Sequence, residues 1–302
     1  MAVRLPPVTS LPIIAIFGPT GVGKTAVAVA VAERLRGDGE DPVAVSADAL
    51  QLYAGLGTLT GVEATDRLEQ RLVGVVGVTE TFSAGRYAEL AHAEIDALVA
   101  ANRRPIVVGG TGLYLRAALA ELDLRPPPDP ALRARWSAAL DARGAEALHG
   151  ELARRATAAA ARIQPTDGVR ITRALELLDA GHAPPGGDQL WTTATRHPTR
   201  LFALTIERGA LYDRIDRRVD AMVAAGAADE VRRADAAGAS ATARKALGFT
   251  QLLEDDIEGM KQATRRYARR QLTWLRKLPA VHRIDVTGRD PADVAADIVA
   301  II

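Results

Sequence analysis

The 302-residue chain carries 38 basic and 37 acidic side chains, and a net charge of +1 excludes binding to nucleic acid through bulk positive charge. It has no cysteine, which excludes disulfides and thiolate-held metals. Apolar residues make up 48% and aromatics only 4%, a balance that favours helices over an all-β fold, and no apolar run reaches the ~20 residues of a membrane span.

Residues 1–10 hold one arginine and two prolines and no signal-peptide core, so a cytoplasmic protein is expected. Residues 13–17, Ile-Ile-Ala-Ile-Phe, read as a buried strand, and a helix is predicted from Lys24 to about Arg36. Between them Gly18, Pro19, Thr20, Gly21, Val22, Gly23, Lys24 and Thr25 fit the pattern G-x-x-x-x-G-K-[ST]. Strand, glycine loop and helix start together make a phosphate cradle: inward-turned N–H groups and the positive end of a helix. Lys24 adds a full charge, and the Thr25 hydroxyl suits a phosphate-bound Mg²⁺.

Residues 43–46 predict a second strand, with Asp48 just past its end in Ser46-Ala47-Asp48-Ala49-Leu50-Gln51-Leu52-Tyr53. A carboxylate there can hold Mg²⁺ or take a proton; equally, Asp is a favoured helix N-cap. Residues 71–78 predict a third strand. Residues 84–101 predict an amphipathic helix with Leu90, Ile95, Leu98 and Val99 on one side. Residues 105–108 are a strong buried strand ending in Gly109-Gly110-Thr111-Gly112. P-loop hydrolases often place a Mg²⁺-ordering Asp at such a strand end. Its absence argues against simple ATP or GTP hydrolysis. The turn is either a second backbone cradle with a hydroxyl at Thr111, or a tight turn with Thr111 as N-cap.

Residues 125–130, Arg-Pro-Pro-Pro-Asp-Pro, cannot be helix interior and mark a boundary. Residues 131–180 then read as nearly continuous helix and 181–198 as a loop. A strand is predicted at 200–206, helices to about Leu278, a last strand at 281–286 and a last helix at 291–302. Within these helices Lys261, Arg265, Arg266, Arg269, Arg270, Arg276 and Lys277 recur with no acid among them, beside Tyr267 and Trp274. That combination suits phosphate and RNA contacts better than a plain solvated face. The five histidines show no metal-ligand spacing. The order of elements predicts an α/β fold: a P-loop NTPase-like parallel-sheet core at 1–124 and 201–302, with an all-helical insertion at 125–200.

Taken together, the motifs resemble the tRNA dimethylallyltransferases, also called tRNA isopentenyltransferases. The resemblance rests on the glycine loop 18–25, residues 46–53, and Val107-Val108-Gly109-Gly110-Thr111-Gly112-Leu113-Tyr114. Residues 129–135, 170–176, 246–249 and 263–266 extend it, and Arg270-Gln271-Leu272-Thr273-Trp274-Leu275-Arg276 completes it. It implies transfer of a dimethylallyl group from dimethylallyl diphosphate to the N6 amine of the adenosine just 3′ of the anticodon in tRNA, with Mg²⁺ assisting. The glycine loop would then hold a departing diphosphate. The resemblance makes Asp48 the general base, with Lys24 and Thr111 as its catalytic partners; Arg265 or Arg266 is expected to reach the diphosphate. It implies tRNA contacts at Asp48, Ala49, Leu50, Gln51, Thr111, Arg133, Val169, Arg170, Ile171, Thr172 and Arg173, with the helical insertion gripping the anticodon stem-loop. A monomer is expected.

Two departures stand out. The family commonly has Gly-Thr-Ala-Lys where this chain has Gly57-Thr58-Leu59-Thr60, so a lysine is missing. Gln70-Arg71-Leu72-Val73-Gly74 occupies the place of a common His-His motif, and Arg67 or Arg71 is the candidate replacement cation. Three rival readings differ in what they demand. An adenylate prenyltransferase needs neither the helical insertion nor the basic stretch, a nucleotide kinase needs bound ATP, and a non-catalytic RNA-binding protein needs no Asp48.

Overall fold

The computed structural model describes residues 11–62, 65–127, 129–186 and 189–302; the reading of residues 1–10 lies outside them. Six strands form one sheet: β1 (Ile13–Phe17), β2 (Pro42–Ser46), β3 (Gln70–Arg71), β4 (Arg104–Gly109), β5 (Thr199–Thr205) and β6 (Val281–Asp285). Their order is β3-β2-β4-β1-β5-β6 and every pair is parallel. Phe17 pairs with both Gly109 and Ala203, so β1 and β4 finish level at their C-terminal ends while β5 runs on to Thr205. That edge is where open parallel sheets gather ligands.

Parallel strands are covered on both faces, which is why they read as unbroken apolar runs. Every residue of β1 is buried. On one face α1 (Lys24–Gly37) and α13 (Pro291–Val299) pack together through Val27, Val31, Leu35, Val294 and Ile298. Each such side chain contributes ~1.5–3 kcal/mol on full burial. The other face carries α3 (Ala84–Ala100) and α4 (Gly112–Leu119). The remaining helices of this unit are α2 (Gly57–Thr60), α9 (Arg208–Ala224), α10 (Ala227–Ala236), α11 (Phe249–Leu253) and α12 (Ile257–Lys277).

Two expectations need correction. The strand expected at 71–78 is only β3, because Leu72 and Gly74 adopt φ of 59° and 62° and turn the chain out of the sheet. Leu90 faces outward from α3 at 37% exposure and Val99 is only half-buried; the buried stripe is Tyr87, Ala88, Ala91, Ile95 and Leu98.

The chain divides into two compact units, one of residues 1–121 and 191–302, the other Leu122–Leu190. The second contains α5 (Pro130–Arg143), α6 (Ala145–Arg155), α7 (Thr157–Ala160) and α8 (Gly168–Asp179) around Trp136, Leu148, Leu152, Ile171 and Leu175. The proline run that blocks helix before it also starts it: Pro130 opens α5, and Asp129 caps it by accepting from the amides of Ala131 and Leu132. The exit lies at 190 and not near 200, because residues 191–198 bond back onto the sheet unit. Arg116 donates to the Ala194 carbonyl at 3.1 Å, the Arg196 amide donates to the Leu119 carbonyl at 2.8 Å, and Arg196 and His197 both engage Asp96 of α3.

Candidate functional site

A cavity of about 130 Å³ opens at the C-terminal ends of β1, β2 and β4. Its first wall is the loop between β1 and α1, through Thr20, Gly21, Gly23, Lys24 and Thr25. Gly21 and Gly23 hold φ of 82° and 99°, which lets the chain double back under the helix start. Gly23 caps α1 with no side chain, leaving the first-turn amides to an incoming anion. Gly18, Pro19 and Val22 are buried beneath the loop, Val22 in the apolar core, so their part is played by backbone.

Lys24 donates from Nζ to the Gly18 and Pro19 carbonyls at 3.0 and 3.1 Å. Burial drops its pKa to about 8; Asp48 opposes the fall and Arg218 adds to it. A cation so poorly hydrated is stabilised by any anion that enters.

Asp48, Leu50 and Gln51 form the second wall. Asp48 caps no helix: its Oδ1 accepts the Leu50 amide at 3.0 Å in a turn, and one carboxylate oxygen remains beyond that bond. Gln51 accepts from the Ser46 hydroxyl at 3.0 Å. Ala49 is half-buried and does not line the cavity.

The Gly109–Gly112 turn is glycine-rich because of close approach. A β-carbon on Gly109 would meet the Ala47 carbonyl at 2.2 Å, and one on Gly110 would meet Gln271 Nε2 at 2.2 Å and Lys24 Nζ at 3.3 Å. Thr111 sits at the N-cap of α4 but its hydroxyl does not cap; it bonds the Tyr267 hydroxyl at 3.2 Å. Tyr267 lines the cavity, and its pKa is pushed up to about 12 by burial, with the charge of Asp48 adding to the rise. Gln271, 4% exposed, joins the two glycine loops. Its Oε1 accepts the Thr20 amide at 2.8 Å and its Nε2 donates to the Gly110 carbonyl at 2.8 Å.

Helix α9 supplies the second cation. Arg214 donates to the Val22 carbonyl at 3.1 Å, bracing the loop from behind. Arg218, one turn on, lines the cavity and donates to the Gly61 carbonyl at 3.1 Å. The apolar part of the cavity lining is Leu59, Val219, Met222, Leu247 and Met260. Both methionines other than Met1 are among them.

Several expected residues lie elsewhere. Arg265 is held by Asp216 of α9 through Nε–Oδ1 at 2.9 Å and Nη2–Oδ2 at 2.5 Å, and Arg266 is exposed; neither lines the cavity. The α12 face that reaches the cavity carries Met260, Thr264 and Tyr267, and the arginines fall between those positions on the helix. Arg67 pairs with Glu33 and Arg71 with Glu69, so neither replaces the missing lysine; Arg218 is the cation beside α2. In the helical unit Ile171 and Thr172 are turned inward, at 0% and 6% exposure, whereas Val169 is 73% exposed and Arg170 lies on the surface. Arg133 and Arg173 both engage the carboxylate of Glu176.

In the sequence Tyr267 stands out only as a neighbour of the basic stretch and Gln271 only within the Arg270–Arg276 motif, while Arg218 does not stand out. A signal existed for Arg218: Arg214 and Arg218 are four apart, beside the buried Ile215 and Val219, so they share one edge of an amphipathic helix.

The IPP transferase family model matches residues 51–278. A tRNA dimethylallyltransferase of Thermobifida fusca (strain YX) is 42% identical over 94% of this chain and 92% of its own length. One from Kineococcus radiotolerans is 40% identical over 97% of both chains. Among solved structures, the full-length tRNA isopentenylpyrophosphate transferase of Bacillus halodurans superposes with a TM-score of 0.67 at 31% identity, covering 96% of each chain. These alignments take in the glycine loop and Asp48, which precede the stretch matched by the family model.

Proposed function

We propose that this chain, which belongs to the IPP transferase family, transfers a dimethylallyl group from dimethylallyl diphosphate to the N6 amine of the adenosine 3′ of the anticodon in tRNA, releasing diphosphate. The observation that carries the reading is the mixed lining of the cavity. Its lining combines the glycine loop, Lys24 and Arg218 with the apolar side chains Leu59, Val219, Met222, Leu247 and Met260. A diphosphate ester of a small hydrocarbon shares that mixture of charge and apolar surface.

In this reading the N6 lone pair attacks C1 of the dimethylallyl group, the C1–O bond breaks, and its electrons leave on diphosphate. Lys24, Arg218 and the loop amides stabilise that growing charge, a type of contact worth about 10²–10³ in rate per donor. The amine loses its proton to the Asp48 carboxylate, which lines the cavity. Thr111 and Tyr267 form the hydroxyl pair flanking the acceptor.

The described residues contain no cluster of three or more His, Asp or Glu side chains able to cage a metal. That fits Mg²⁺, which is commonly held by one or two protein groups, waters and the substrate's own phosphates. The Thr25 hydroxyl, which lines the cavity, would hold it, and when bound it would neutralise diphosphate charge.

The acceptor base must leave its stack to reach so enclosed a donor. The unit Leu122–Leu190 and the exposed basic side chains of α12, Arg266, Arg269, Arg270, Arg276 and Lys277, are assigned to the RNA, with the anticodon stem-loop gripped by the helical unit. The proposal is completed by a monomer acting in the cytoplasm, where its two substrates meet. Among the described residues no helix is long and apolar enough to cross a membrane.

The test is incubation with labelled dimethylallyl diphosphate and either tRNA or AMP. Label on tRNA is expected; label on AMP alone, or ATP consumption without prenyl transfer, sinks the reading. Asp48→Ala should bind tRNA normally and lose most turnover, and near-normal turnover would remove Asp48 as base.

A further inference from the structure

The helical unit gathers four arginines on two carboxylates. Glu176, 1% exposed, meets Arg133 Nε at 2.5 Å and Nη2 at 3.0 Å, and Arg173 Nη1 at 3.3 Å. Arg173 reaches further, donating to the Pro126 carbonyl. Asp179 meets Arg155 Nη2 at 2.5 Å, Arg135 Nη1 at 3.3 Å and the Trp136 indole N–H at 2.8 Å. Glu176 and Asp179 are three residues apart on α8, so the two clusters stand side by side about 4.5 Å apart along the axis.

The charge count is uneven. One guanidinium neutralises a carboxylate; here each carboxylate holds two, leaving a surplus positive charge in each cluster. The surplus is not sunk in the core. Arg133 and Arg135 keep 47% and 62% of their side-chain surface exposed, and Arg155 keeps 33%. Each guanidinium has five N–H donors, and a carboxylate takes two at most from one arginine, so outward-facing donors remain. An arginine pinned in this way has lost its rotamer freedom before any ligand arrives, a loss that otherwise counts against binding.

We propose that Glu176 and Asp179 are positioning residues that hold Arg133, Arg173, Arg135 and Arg155 as a fixed row of phosphate contacts for the RNA substrate. The proposal rests on the reading that this chain acts on tRNA. It assigns RNA contact to Arg135 and Arg155, and gives Glu176 and Asp179 a part in recognition although neither touches the RNA.

Two carboxylates that merely fasten helices would behave differently, and the sign of one measurement separates the cases. Glu176→Gln removes a negative charge from an RNA-binding face. Bulk electrostatics then predicts tighter RNA binding with a steeper salt dependence. Positioning predicts weaker binding, by about tenfold for two arginines set loose. The full-length protein carrying E176Q or D179N would be titrated with a fluorescent anticodon stem-loop between 50 and 200 mM salt, roughly the range over which phosphate contacts are read out. Dimethylallyl diphosphate affinity and thermal melting are followed in parallel. The expected result is weaker RNA binding by both variants, with donor affinity unchanged. Equal or tighter RNA binding by folded E176Q overturns the proposal. Should E176Q fold poorly, R135Q carries the test, since Arg135 is a surface side chain. It should weaken RNA binding and lower the salt slope by about one, and an unchanged slope and affinity overturn the row. A wild-type protein that binds no stem-loop refutes the tRNA reading itself, whereas a normal wild type with unaffected variants refutes only this inference.

Discussion

Gln271 offers the most exposing test of how the cavity is held together. The substitution Gln271→Met keeps much of the shape of the side chain and removes both polar atoms. It strands the Gly110 carbonyl, which lies in a buried bond, and the Thr20 amide, which is partly accessible. A stranded buried acceptor costs about 1–3 kcal/mol, and the more accessible amide about 0.5–1.5 kcal/mol because water can partly replace its partner. The sum, ~1.5–4.5 kcal/mol, is a large share of the ~5–15 kcal/mol that stabilises a typical protein. At about 2–4 °C per kcal/mol for a unit of roughly this size, melting should fall by about 3–18 °C. Function should suffer in the same variant, because the loop that cradles the anion and the turn that carries Thr111 lose their common tie. The donor KM should rise several-fold. Thermal melting of the full chain and steady-state kinetics with varied dimethylallyl diphosphate are the assays. A melting point within 2 °C of wild type (less than one lost bond should cost) together with an unchanged KM would refute the clamp.

Lys24, with a pKa of about 8, sets a pH dependence with a definite sign. Below pH 8 it is charged and anion-competent; calorimetric affinity for dimethylallyl diphosphate should fall about tenfold between pH 8 and 9–10 as the proton is lost, and Lys24→Met should flatten the profile. Because the folded value lies below the ordinary one, the unliganded protein should gain stability as pH rises from about 8 towards 10.5, and a decline over that window by thermal melting would contradict the assignment. Gly110→Ala places a methyl against Gln271, the Gly18 carbonyl and Lys24; turnover should collapse and melting should fall, and a fully active variant would show that the loops are looser than drawn. Arg218→Gln should raise donor KM by tenfold or more while leaving stem-loop binding unchanged, checked by kinetics and fluorescence titration.

What was legible in the sequence was local. The glycine loop is a strand, a turn chemistry and a helix start in adjacent residues, and Asp48 follows a strand end directly. What was not legible depended on partners far along the chain. The basic stretch of α12 reads as uncompensated because its acids lie outside it: Asp216 of α9 takes Arg265, and Lys261 is taken by Asp220 of α9 at 2.8 Å and by Glu258 in the first turn of α12 at 3.0 Å. Once α9 is in place, the cavity's second cation turns out to be Arg218. Gln271 stands out only as part of the Arg270–Arg276 motif, and its role is invisible there because it comes from joining residue 20 to residue 110. The stretch 169–173 reads as a block of RNA contacts, but a helix divides it by face, burying Ile171 and Thr172 while Val169 and Arg170 stay outside.

The stitching of residues 191–198 to the sheet unit has an evolutionary reading. The Leu119 carbonyl and the Arg196 amide meet at 2.8 Å, and Arg116 reaches across to Ala194 from the same side. Departure and return of the chain are thus brought together by the sheet unit's own bonds. A change in the length of the tract between them therefore costs the sheet unit little, since closure entropy changes only slowly with the length enclosed. Selection on which RNA is served and selection on the chemistry performed could therefore proceed on separate stretches of one gene.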